Sequence, residues 1–147
     1  MIPRAALILG IAGLLPFAWS VGTVFSPPLA AVGLHWFGPR FVGPYVGLAY
    51  GTVILAFMSG ALWGFAVRAR GNGALFYALS VIPALWAFFF VGGGPVQAAL
   101  YLAAGFVGLL GLDWVFGRQG LTPPWWMPLR AGLTAVVVAS LLVTVRP

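Results

Sequence analysis

"VQAALYLAAGFVGLLGLDWVF", residues 96–116, is an unbroken apolar run that carries the chain's one acidic side chain, Asp113. A helix needs about 20 predominantly apolar residues to cross a hydrocarbon core of roughly 30 Å, and this run supplies them. Apolar and polar residues do not alternate with period two, so a barrel strand is a poor fit. Four further runs of the same kind occupy about 5–25, 45–67, 75–91 and 127–145. The expected fold class is all-α: a polytopic integral membrane bundle of about five transmembrane helices, forming one transmembrane domain over 1–147.

Composition leads to the same class. Hydrophobic residues make up 63% of the chain and charged residues 5%, and the mean hydropathy is +1.10. Soluble domains carry roughly 25% charged residues. A chain this apolar requires lipid as the solvent of its outer surface. The net charge of +6 would point to nucleic acid in a soluble protein, but the seven basic residues stand singly between apolar runs and read as topology signals. Nucleic acid is therefore excluded as a partner. With no cysteine, disulfides, thiolate metal sites and iron–sulfur clusters held by this chain are excluded too.

The arginines divide by side. Arg4, Arg68, Arg70, Arg118 and Arg130 belong to one face of the membrane, Arg40 and Arg146 to the other. The positive-inside rule then places the N-terminus in the cytoplasm and the C-terminus in the periplasm of a bacterial inner membrane. Trp63, Trp114, Trp125 and Trp126 fit an inner aromatic belt. Arg4 and the "AWS" at 18–20 resemble parts of a signal peptide, yet the apolar run continues to Phe25, so the segment reads as a retained first span. "SPPLAAVGLHWFGPRFVG", residues 26–43, is too broken by proline and glycine to cross and is expected at the outer interface. "VGGGP", residues 91–95, predicts a tight hairpin between antiparallel neighbours. No internal repeat is visible.

Few polar groups are available for chemistry. Asp113 lies near the inner end of the fourth span, where an unpaired carboxylate is costly, so a partner is expected. Arg130, at similar depth in the fifth span, is the candidate for a structural ion pair. A proton relay would need further stations across the membrane, and the chain has no second acid. His35, the lone histidine, sits beside Trp36 and Phe37 in the outer connection, without the ligand set that a zinc or bis-histidine haem site requires. No catalytic residues, metal site or cofactor are expected. The serines have no histidine–acid arrangement, and the glycines form no phosphate-binding fingerprint.

Small residues recur at intervals of about four along two spans. Gly43, Gly47 and Gly51 continue into Ala56, Gly60 and Gly64, and Ala131, Ala135 and Ala139 follow in the last span. Such stripes let backbones approach closely in lipid, so they are expected to serve helix packing, chiefly inside the bundle. Pro16 and Pro83 are expected to bend the first and third spans, offering an alternative role as walls of a binding groove.

Taken together, "IPRAALILGIAGLLPF" (2–17), "YGTVILAFMSGALWG" (50–64), "SVIPAL" (80–85) and "GLTPPWWMPLRAGLT" (120–134) resemble a domain-of-unknown-function family of small multispanning membrane proteins that includes mitochondrial transmembrane protein 69. Tyr50 with Gly51, Trp63 with Gly64, and the polar points Asp113, Arg130 and Thr134 carry the likeness, while Leu62 departs from the basic or polar residue that family often has there. The resemblance implies a multispanning bundle and supplies no catalytic residue. With the absence of polar stations, it favours a noncatalytic accessory or assembly subunit of a larger membrane complex, respiratory or photosynthetic, with other integral membrane subunits and lipids as partners. The alternative is a small carrier or binding protein for an apolar molecule such as a quinone or lipid.

Overall fold

A computed structural model describes residues 1–146. Seven α-helices follow one another: α1 (Arg4–Ala12), α2 (Leu15–Phe25), α3 (Pro27–Phe37), α4 (Gly43–Ala66), α5 (Gly73–Phe90), α6 (Pro95–Arg118) and α7 (Trp126–Val143). A 3₁₀ turn at Pro39–Phe41 joins α3 to α4. Five segments are long and apolar enough to cross a membrane: α1 with α2 as one span over Arg4–Phe25, then α4, α5, α6 and α7. The all-α multispanning bundle expected from the sequence is the observed fold.

Pro16 explains the division of the first span. It lacks an N–H and crowds the preceding turn, so the helix cannot run straight through it. The chain tightens at Gly13–Leu14, where the Leu14 amide donates to the Ile11 carbonyl, and α2 restarts with Pro16 in its first turn. Pro27 and Pro28 act in the opposite sense. Proline is well tolerated at the first helical positions, and here the pair opens α3 in the connection between the first two spans, making a short helix of a stretch rich in proline and glycine.

α4 and α6 form the centre. α4 packs against α2, α5, α6 and α7, and α6 against α4, α5 and α7. Their shared core includes Phe17, Leu55, Leu62, Leu102, Phe106 and Leu109, all nearly inaccessible. Outward faces carry large apolar side chains such as Ile8, Leu9, Phe57, Phe88 and Phe89, as a lipid-solvated surface requires. The hairpin between α5 and α6 forms at residues 91–94, with Gly93 at φ +76°.

The backbone approaches most closely at glycines. A Cβ on Gly51 would lie 2.7 Å from Leu102, and one on Gly105 would lie 2.7 Å from Leu55 and 2.8 Å from Trp86. The start of α4 and the turn before it are tied to α2 by hydrogen bonds. Ser20 Oγ donates to the Gly43 carbonyl at 2.8 Å, the Gly43 amide donates to Thr23 Oγ1 at 2.8 Å, and Trp19 Nε1 donates to the Phe41 carbonyl at 2.7 Å.

Candidate functional site

Trp126, Arg130 and Thr134 stand four residues apart in α7, a spacing that puts all three on one helical face. That face meets Asp113 of α6. Asp113 is fully buried and accepts two hydrogen bonds: Trp126 Nε1 donates to Oδ1 at 2.7 Å and Arg130 Nε donates to Oδ2 at 3.0 Å. The Arg130–Asp113 contact is the ion pair among the described residues. Arg130 engages Asp113 through Nε. Its Nη2 is buried without a partner, and so is Thr134 Oγ1 one turn farther into the membrane.

Both residues line a cavity of about 310 Å³ enclosed by α1, α2, α4, α6 and α7. Its walls are otherwise apolar, with Leu14, Phe17, Ile54, Phe106 and Val137 among them, and Tyr50 and Trp126 at its sides. The rim includes Leu9 and Phe57, which are 72% and 67% exposed, so the cavity opens sideways onto the surface that faces lipid. α1 forms one wall lightly: it buries none of its residues, and its principal neighbour is α7.

Pro16 and Pro83 do not share a groove, which corrects their alternative role as walls of one binding groove. Pro16 lines a separate cavity with Trp19, Phe37 and Phe41, and Pro83 lines another between α5 and α6 with Trp86 and Leu109. The physical reason is that α4 and α6 stand between the two prolines. Pro83 also stays inside a continuous α5. Ser59 of α4 mends the helix there: its Oγ donates to the Ser80 carbonyl and accepts from the Ala84 amide at 3.3 Å.

The small-residue stripes divide in the same way. Gly47 and Gly51 face inward, where a Cβ on Gly47 would lie 2.8 Å from Ser20 Oγ. Gly60 and Gly64 have nothing within 4 Å of an added Cβ, and Ala131, Ala135 and Ala139 are exposed. These five therefore lie on open faces of their helices, contrary to the expectation of packing inside the bundle. The step from Gly51 to Ala56 is five residues, which carries the row across the helix, so Gly60 and Gly64 lie on the side of α4 roughly opposite Gly51. His35 is exposed in α3, edge-on to Trp36, and no group of three or more His, Cys, Asp or Glu that could hold a metal occurs among the described residues.

Sequence reasoning paired Asp113 with Arg130 but left Trp126 in the aromatic belt. The missed signal was the spacing of four through Trp126, Arg130 and Thr134, which runs parallel to the alanine stripe one position later.

Comparison with known proteins agrees with this architecture. Transmembrane protein 69 of Xenopus tropicalis is 31% identical over 145 residues, covering 95% of this chain and 53% of that protein, so the chain spans about half the length of this relative. No solved structure matches the chain. The profile of the family described as "Protein of unknown function (DUF3429)" matches residues 2–146, and the chain, a multi-pass membrane protein, belongs to that family.

Proposed function

We propose that this chain is a noncatalytic binding protein for an apolar, lipid-soluble molecule, held in the cavity beneath α1. The observation that carries this reading is the pairing of an apolar, laterally open cavity with two buried polar atoms that lack partners, Arg130 Nη2 and Thr134 Oγ1. Buried polar groups are nearly always hydrogen-bonded, and in lipid no bulk water is at hand to serve them. A bound molecule reaching in from the membrane serves both. The cavity's size, near the lower end of the roughly 300–1,000 Å³ of small-molecule sites, suits a head group whose tail remains in the bilayer.

Purification in mild detergent, solvent extraction and mass spectrometry test this reading. The expected result is a lipid-soluble compound retained in near-stoichiometric amount by the native chain and lost from Ala6→Trp, which fills the cavity from α1. Equal retention by both proteins would overturn it.

A second reading, an accessory or assembly subunit of a larger membrane complex, is favoured by the outward rows at Gly60, Gly64 and Ala131 to Ala139. In lipid, such rows permit close approach of a partner helix. Both readings keep the orientation drawn from the arginines, with the N-terminus cytoplasmic in a bacterial inner membrane. Arg4, Arg68, Arg70 and Arg118 lie toward the end of the bundle where Arg68 Nη1 donates to the Leu121 carbonyl at 3.3 Å. A periplasm-active reporter fused after Pro147 should work, and one inserted at 68–72 should be silent; the reverse pattern would invert the topology.

A further inference from the structure

We infer that the cavity beneath α1 selects a neutral carbonyl compound over a fatty anion, with its carbonyl oxygen accepting from Arg130 and Thr134; this rests on the reading of the cavity as a ligand site. The unpartnered Arg130 Nη2 can only donate, and Thr134 Oγ1 offers a rotatable O–H. A pure hydrocarbon would leave both unserved. A cation would meet a guanidinium and find no free carboxylate, because both Asp113 oxygens are already engaged by Trp126 and Arg130.

The choice between a neutral acceptor and an anion turns on charge. Asp113 balances Arg130 at 3.0 Å, so the pair presents no net charge to the cavity. An anionic head would add a second negative charge among apolar walls, competing with Asp113 for one guanidinium and losing its hydration without a cation of its own. A carbonyl brings a strong acceptor and no charge. Arg130 is the fifth residue of α7, so its Cα lies about 6 Å along the axis from the helix start, a depth at which a polar head can sit while its tail passes the rim at Leu9 and Phe57.

Two lipid-soluble sources share this chemistry, a quinone ring and the ester carbonyls of a neutral glyceride. The test uses the full chain in detergent with decylubiquinone, dioctanoylglycerol and oleate as probes. Native mass spectrometry gives occupancy, and thermal melting gives the shift on binding. One neutral probe should bind at least tenfold more tightly than oleate, and the one that does identifies the source. Thr134→Val should weaken that probe by about tenfold, as expected for one lost hydrogen bond, without lowering the melting temperature of the unliganded protein. Thr134→Ser, which keeps the hydroxyl, should restore binding.

Preferential binding of oleate, abolished by Ala6→Trp, would leave the cavity as a ligand site and overturn its selectivity. Binding of no probe by the folded wild-type chain would overturn both, with water left to serve the two donors. Equal affinity of Thr134→Val and wild type for the neutral probe would overturn the assignment of Thr134.

Discussion

Ser59 and Arg130 both carry polar atoms into the apolar interior, and their surroundings differ in one respect. Ser59 sits between α4 and α5 beside the break at Pro83, and its single hydroxyl is used fully, donating to Ser80 and accepting from Ala84. Arg130 sits between α6 and α7 with more donors than Asp113 uses. At the first site the side chain repairs a defect of the backbone, so donors and acceptors balance. At the second a charged pair brings a surplus donor, on a residue that lines a cavity. A closed polar site in lipid speaks for structure, and an unbalanced one for a missing partner.

The largest expected effect breaks the second site. Asp113→Asn leaves the Arg130 charge buried without a counter-charge, and should cost about 3 kcal/mol in a detergent melting or denaturation series, within the range for removing one member of a buried pair. Asp113→Asn with Arg130→Gln removes both charges and should recover part of the loss. If the two single losses merely add in the double variant, α6 and α7 are not coupled through this pair. Ser59→Ala should cost less, about 1–3 kcal/mol, because it leaves the Ala84 amide without its acceptor next to a proline that has already opened the ladder. The damage should be confined to α5: amide exchange near Ala84 should accelerate while α6 and α7 keep their protection. Acceleration spread evenly over the bundle would show that Ser59 supports the whole core.

The five spans and the Asp113–Arg130 proximity were legible because they depend on local quantities: the length of apolar runs and the depth of two charges from one end of neighbouring spans. Pro16 was legible as a break for the same local reason. The partner of Pro83 was not, because Ser59 lies 24 residues away by number and meets it only through the packing of α4 on α5. The cavity was illegible for a related reason. Its walls come from five helices, and its emptiness follows from how lightly α1 rests on α7, which no single segment encodes. A row of small residues states that close approach is possible, yet not on which side of a helix the neighbour stands. Gly51 meets Leu102 and Phe17 while Gly60, on the same helix, meets nothing.

That last contrast yields the smallest expected effect on folding. Gly51→Leu must displace Leu102 and Phe17, since even a Cβ would lie 2.7 Å and 3.3 Å from them, and overpacking of this kind costs about 1–3 kcal/mol or more. Gly60→Leu adds a side chain to open space on the lipid-facing side of α4 and should change stability by no more than about 0.5 kcal/mol, the scale of surface substitutions. Leucine also favours the helix more than glycine does, which offsets part of any loss. The two readings of function part at this variant. A chain that works alone as a binding protein should keep both its fold and its retained ligand when Gly60 becomes leucine. A subunit that seats a partner helix along Gly60 and Gly64 should remain folded and inserted but come away from its complex on native gels, because the new side chain holds the two backbones apart. Unchanged migration together with unchanged ligand retention would leave the outward row as plain lipid-facing surface.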